Sequence, residues 1–278
     1  PGRPRMPGEL ALTGDDFGAS RAVNEAIEAA HCDGVLTAAS AMATAPAFDD
    51  AVARARALPA LVTGLHLVLC DGRAASKPHE VPSLVDSDGR FPASPARAGL
   101  RYWRRRSALR AQLERELRAQ LERALGAGLR LDHVDGHHHL HMHPVVFDVL
   151  LPLLVEYRVP RLRVVREDGL GRSGRLRPAG EIVPAVFGAL ARRARPRLAA
   201  CGVASDARVY GLRATGALDE AELLRLVRGL SAPSVEIYLH PSRADAAGRA
   251  QEAALRSAAV RDALARGGYT LRRRAEAP

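Results

Sequence analysis

Lysine is almost missing from this chain: Lys77 is the single example, although arginine is abundant enough to give a formal net charge of +10. A nucleic-acid surface gathers its cations on one face, whereas these arginines run along the whole sequence and cluster only at Arg104-Arg105-Arg106 and Arg272-Arg273-Arg274. A non-catalytic binder of nucleic acid or anionic surfaces is therefore the weakest reading, and no nucleic-acid partner is expected. Cysteine is scarce too. Cys32, Cys70 and Cys201 form no CxxC pair, which excludes a disulfide framework or a cysteine zinc knuckle and suits a reducing cytoplasm. No apolar run reaches the about 18 residues of a membrane span. Pro1 to Met6 lacks the apolar core of a secretory signal, and Met6 is the expected start, with residues 1–5 an extension. Aromatic residues make up 4% of the chain. Tyr102 and Trp103, adjacent and followed by three arginines, stand out as candidates to stack on a sugar or to dip into an anionic lipid surface.

Histidine is concentrated rather than rare. Half of the ten lie between His137 and His143, in His133-Val-Asp-Gly-His-His-His-Leu-His-Met-His143-Pro144. Imidazole is the commonest transition-metal ligand. The run follows the apolar alternation Leu129, Leu131, Val134 and precedes Val145–Leu151, which reads as a helix. It therefore sits at the carboxyl end of a strand, where α/β proteins carry their chemistry. An extended segment would turn His137, His139 and His141 to one side and His138 to the other. A histidine tag is usually terminal and unpatterned; this run is internal and interleaved with Asp135, Leu140 and Met142.

Strand and helix alternate from end to end. Strands are predicted at Leu10–Leu12, Val35–Thr44, Leu61–Leu69, Leu129–Val134, Arg161–Val165, Ala207–Tyr210, Val235–Leu239 and Tyr269–Leu271. Helices are predicted at Ala22–His31 with Ser20 as cap, Phe48–Leu58, Ser107–Leu125, from Val145 to about Tyr157 with a kink at Pro152, Ile182–Leu198 between Pro184 and Pro196, after the cap Asp219, and Ala250–Ala265. Leu109, Leu113, Leu117, Leu121 and Leu125 form a core stripe. Residues 71–99, rich in Gly, Pro, Ser and Asp, read as a long excursion of the kind that often forms a lid. Residues 169–180 read as a basic loop. The pattern implies an α/β chain with one (β/α) barrel-like domain over residues 7–275, its closure distorted or incomplete, carrying a long inserted loop.

Asp15-Asp16, His66, the His137 run and His240 all fall at predicted strand ends. Parallel strands would bring these ends to one edge. Two imidazoles and a carboxylate suit a divalent ion with open positions for water and substrate, and the first carboxylate of an adjacent pair can serve as base.

Thr13-Gly-Asp-Asp-Phe-Gly18, Gly64-Leu-His-Leu67, His133-Val-Asp-Gly-His-His-His-Leu-His141 and Glu236-Ile-Tyr-Leu-His-Pro241 resemble, in order and spacing, the YdjC-like (chitooligosaccharide deacetylase-like) carbohydrate deacetylases. Gly34–Ser40 and His141-Met-His-Pro144 are most similar to the hopanoid-biosynthesis-associated branch. The resemblance implies a barrel-like fold and metal-dependent removal of acetyl from an N-acetylated sugar, with a hopanoid-type N-acetylglucosaminyl glycolipid or related glycoconjugate as substrate. It implies Asp16, His66 and His137 as ligands of one divalent ion, zinc or magnesium. Asp15 matches the base and His240 the acid, with His139 or His141 as the alternatives. Asp135 is expected to accept a hydrogen bond from a ligand imidazole, and Arg163 to bind a hydroxyl or phosphate or to orient Asp15. Gly136 stands where many relatives have Ser, which bears on the loop's geometry. The expected location is cytoplasmic with peripheral contact to the inner membrane, and a homodimer is compatible with the sequence. The rival reading from the same class is a metal-dependent phosphoesterase, whose sites often hold two or three ions.

Overall fold

The computed structural model describes residues 8–171 and 182–273. Met6, residues 172–180 of the basic loop, Arg274 and the expected domain limits 7 and 275 lie outside the described residues.

Strand β1 (Gly8–Phe17) is the axis of the sheet. One edge pairs with β6 (Ser234–Leu239). The other pairs with β7 (Tyr269–Leu271) at its start and β2 (Ala38–Ala41) at its end. Strand β3 (Val62–Leu67) follows β2, β4 (His133–Gly136) follows β3, and β5 (Arg208–Tyr210) lies outside β6. Every pairing is parallel, so all carboxyl ends share one rim. The predicted strand at 161–165 is instead a seam of isolated bridges, Val134 to Leu162, Arg161 to Ala204 and Arg166 to Val209. That seam spans the gap between β4 and β5, and the result is a distorted barrel.

Helices α1 (Arg21–Cys32), α2 (Phe48–Ala57), α5 (Pro144–Glu156) and α7 (Glu220–Gly229) pack around it much as the periodicity indicated. The Ser20 Oγ accepts from the Val23 N–H and Asp219 accepts from the Glu222 N–H, as their N-cap positions required. In α4 (Arg106–Gly126) Leu109, Leu113, Leu117 and Leu121 are fully buried, each contributing roughly 1.5–3 kcal/mol. Leu125 falls off the stripe and is exposed. Pro152 lies inside α5, as expected, while Pro196 lies inside α6 (Ile182–Ala200) rather than at its edge. The single C-terminal helix is two, α8 (Ala246–Arg256) and α9 (Ala258–Gly267), because Ser257 ends the first and caps the second through a bond from the Val260 N–H.

The excursion at 71–99 is stapled down rather than free. Buried Glu116 of α4 accepts from the Ala75 and Ser76 N–H groups, and Val81, Leu84 and Phe91 join the core. It ends in a helix the sequence reading did not include, α3 (Pro95–Arg104), which opens with the cap Ser94 and Pro95.

The register sets what the barrel can hold. Gly64 of β3 pairs with His133 of β4, and a Cβ at Gly64 would lie 2.3 Å from the imidazole Nε2. Gly64→Ala is therefore expected to cost about 1–3 kcal/mol through overpacking two residues below His66. Urea unfolding measures this, and an unchanged midpoint would contradict the packing described.

Candidate metal centre

Residues facing the barrel interior alternate along each strand with residues facing the helices. Thr13 and Asp15 of β1, Ser40 of β2, His66 of β3, Asp135 of β4 and Glu236 of β6 meet through hydrogen bonds to one another and to Arg163. Arg163 comes from the seam, has a fully buried side chain and lies 4.7 Å from the ring centroid of Tyr238. It donates to both oxygens of Asp15 at 2.6 and 2.7 Å and to Glu236 at 2.8 and 3.0 Å. It also meets Asp135 at 2.7 Å. The Arg163 guanidinium thus grips Asp15 from within the core, the placement expected of a residue that orients Asp15 rather than one that binds a hydroxyl or phosphate.

Above this layer the rim brings together Asp16, His66 and His137. One ligand atom from each lies within 4.8 Å of the others. The Oδ1 of Asp16 is 3.3 Å from the Nε2 of His66 and 3.1 Å from the Nδ1 of His137. The other nitrogen of His66 donates to Asp135 at 2.7 Å, fixing the tautomer that leaves Nε2 toward the rim when the ring is neutral.

Adjacent carboxylates reach this site because β1 is irregular. Its register with β2 shifts by one residue between Gly14 and Phe17, and Asp16 has a φ of 61°. This bulge lets Asp15 point into the barrel while Asp16 turns over the rim. The histidine run is also not extended. Residues His137–Met142 form a tight 3-10 turn, with His138 and His139 in the left-handed region at φ 51° and 56°. The expected alternation of His137, His139 and His141 therefore does not hold, since two consecutive left-handed residues re-aim each ring.

The electrostatics favour a cation. Burial would raise the Asp16 carboxyl, but hydrogen bonds with His137 and His66 hold it well below the usual carboxylate range. Burial also works against charge on His66, yet Asp135 and its neighbours outweigh it and push the imidazole up to about 10. Four carboxylates face one guanidinium here, a surplus of three negative charges when His66 is neutral. The donor set, two imidazoles and a carboxylate, fits a divalent ion of zinc or magnesium type. A cavity of about 450 Å³ opens beside it, bounded by Asp16, His137, Met42, Val68, Arg73 and Arg90.

The remaining expected residues divide. His141 is buried with its Nε2 on the Arg163 carbonyl at 2.9 Å, and burial pushes it down to about 4. It braces the seam and is not placed to protonate a leaving group. His139 lies 2.9 Å from the Tyr238 hydroxyl, and burial with the nearby His141 and Arg163 charges holds it well below the ordinary imidazole range. His240 is half-buried just past β6, its ring edge-on to Tyr238 at 5.9 Å. Tyr102 is fully buried and donates to the Leu69 carbonyl at 2.6 Å, so it neither stacks on a sugar nor enters lipid. Trp103 is exposed. The sequence reading assigned no role to Ser40, Glu236 or Tyr238. Glu236 was detectable as a charge inside an apolar strand, whereas Ser40 sits among small residues and gave no signal. A second cluster, Asp71, His137 and His138, also brings its ligand atoms within 4.8 Å.

Arg163→Met would leave Asp15, Asp135 and Glu236 without their shared partner. A loss of about 3–5 kcal/mol is expected in chemical denaturation; a loss below about 1 kcal/mol would contradict the clamp.

The chain is similar to known proteins on two levels. Residues 9–276 match the YdjC-like protein family. A carbohydrate deacetylase of Brevibacillus brevis is 45% identical over 152 residues, 55% of this chain and 58% of that protein. One of Geobacillus stearothermophilus is 41% identical over 162 residues, 58% and 61% of the two chains. The aligned part thus spans about three fifths of these curated relatives. A crystal structure from Enterococcus faecalis V583, described as that of a putative cellobiose-phosphate cleavage protein, shares the fold with a TM-score of 0.73 and 24% identity over 96% of this chain and 97% of its own. With the match running through nearly every described residue, this chain belongs to the YdjC-like protein family.

Proposed function

We propose that this protein is a metal-dependent hydrolase that removes the acetyl group from an N-acetylated sugar. The observation that carries the reading is the convergence of Asp16, His66 and His137 beside a carboxylate, Asp15, that is pinned from behind. The carbohydrate deacetylase relatives support the reaction class. Similarity of Gly34–Ser40 and His141–Pro144 to the hopanoid-associated branch supports a hopanoid-type N-acetylglucosaminyl glycolipid as substrate, at a cytoplasmic site peripheral to the inner membrane.

Asp16, His66 and His137 would hold the ion. When bound, it supplies Lewis acidity toward the acetyl carbonyl and lowers the pKa of a water molecule. Asp15 accepts the proton of the attacking water. Arg163 and the Ser40 hydroxyl, 3.1 Å from Asp15 Oδ1, hold that carboxylate in one orientation, so it need not reorganise as the proton arrives. Asp135 keeps His66 aligned through its Nδ1. The carbon–oxygen bond of acetate forms, the carbon–nitrogen bond breaks, and the amine takes a proton as it leaves. His240 is the donor in this scheme, with His139 behind it, and one placed donor is worth roughly 10²–10⁴-fold.

The Asp71–His137–His138 cluster favours one second reading, a phosphoesterase holding two ions. Metal content separates the two: one ion per chain with acetate release supports the deacetylase, and two ions with phosphate release the alternative. Asp15→Asn is expected to keep the ion by elemental analysis and lose at least about 10²-fold in turnover; a near-normal rate would remove Asp15 from the role of base. His137→Ala should lose the ion, and unchanged occupancy would count against the ligand set. Chelation should abolish acetate release from a panel of N-acetylated sugars and glycolipids, and either metal that restores it is thereby identified.

A further inference from the structure

Elsewhere among the described residues many arginines face a carboxylate: Arg54, Arg118, Arg161, Arg197, Arg213 and Arg225 each form an ion pair. The corner between α3 and α4 differs. No acidic residue occurs between Asp88 and Glu114, while Arg97, Arg101, Arg104, Arg105, Arg106 and Arg110 all lie there. Among the described residues none of these six is in an ion pair, and all but half-buried Arg101 are exposed. Within this unneutralised patch α3 presents its two largest exposed apolar side chains, Leu100 and Trp103, at 57% and 52% exposure. They are one turn apart on the same helix face. Arg106 lies 6.0 Å from the Trp103 ring centroid.

The position of the patch matters as much as its chemistry. Trp103 packs its edge on His143, at the end of the histidine turn. Within that turn, His139 meets Phe187 of α6 edge-on. The start of α6 carries Ile182, Val183 and Val186, all at least half exposed. Two apolar surfaces thus flank the turn that carries His137. A cavity of about 210 Å³ between α4 and α5 adds Arg106, Ser107 and Arg110, with its one carboxylate, Asp148, committed to Arg197.

We propose that the α3–α4 corner, with the start of α6, docks the protein on an anionic phospholipid bilayer. Trp103 and Leu100 enter the interface, the arginines meet lipid phosphates, and the metal centre faces the membrane surface. The combination of an exposed tryptophan, an apolar neighbour and uncompensated guanidinium groups is the chemistry of an interfacial anchor. It is not a membrane span, since no described helix is long and apolar enough to cross a bilayer. Docking would deliver a lipid-linked substrate to the cleft, but the proposal stands apart from the deacetylase reading because lipid binding needs no turnover.

Trp103 is the only tryptophan in the chain, so its emission reports this surface alone. Vesicles of phosphatidylglycerol with phosphatidylcholine are expected to shift that emission to the blue, and acyl-brominated lipid should quench it. Pure phosphatidylcholine should do neither, or far less. Arg104→Ser with Arg105→Ser, both exposed, should keep the fold by circular dichroism and weaken binding to the anionic vesicles about 30-fold in co-sedimentation. Emission unchanged by anionic vesicles would overturn the proposal. So would equal binding by the double variant, or binding of a DNA duplex at the same salt without vesicle binding.

Discussion

A single buried guanidinium holds the interior of this barrel together. Arg163 reaches in from the seam where no regular strand forms and meets Asp15, Asp135 and Glu236 at once. A buried charge is costly unless paired, so three strands are bound to the seam by a contact that none can lose cheaply. The consequences reach the rim. Asp15 is locked in one rotamer, and Asp135, itself held by Arg163, locks His66. Because carboxylates outnumber the guanidinium, a cation above them would complete the charge balance when His66 is neutral. The clamp and the Asp16–His66–His137 cluster are therefore one electrostatic unit.

The same rim carries the strain. Asp16, His138 and His139 all adopt left-handed backbone that side chains other than glycine rarely take, and Asp71 does so across the cleft. Such conformations cost of order 1–3 kcal/mol each and persist where surrounding contacts impose them. Here they do a specific thing. The bulge at Asp16 splits two adjacent carboxylates between the clamp and the rim. The turn after His137 puts His139 on Tyr238 and His141 on the seam, leaving His137 facing Asp16.

Much of this was legible in the sequence, and the limits are physical. Long elements with clear periodicity, such as α4, and caps such as Ser20 and Asp219 could be placed because their signals are local. So could the gathering of Asp15-Asp16, His66 and the His137 run, since parallel strands share a rim; the choice of Asp16, His66 and His137 among them rested on the family resemblance. The left-handed turn could not: an extended histidine run and a tight one have the same composition. Tyr102 and Trp103 looked alike as neighbours, yet helix α3 buries one and exposes the other, a distinction set by tertiary packing alone. The segment at 161–165 has strand-like residues, but its partners are distant stretches that offer only isolated bridges. Arg163 therefore read equally well as a residue that binds a hydroxyl or phosphate or as one that orients Asp15.

Function follows from how the two layers meet the outside. Arg163 faces inward and holds Asp15 beneath the rim; the rim opens to a cleft lined by Asp16 and His137. The central claim is that one divalent ion sits on Asp16, His66 and His137. Anomalous diffraction from crystals grown with zinc or cobalt tests it most directly. The account predicts one strong peak at about 2.0–2.2 Å from a carboxylate oxygen of Asp16, the Nε2 of His66 and a ring nitrogen of His137. A peak confined to Asp71 and His138, or none at the rim, would contradict it.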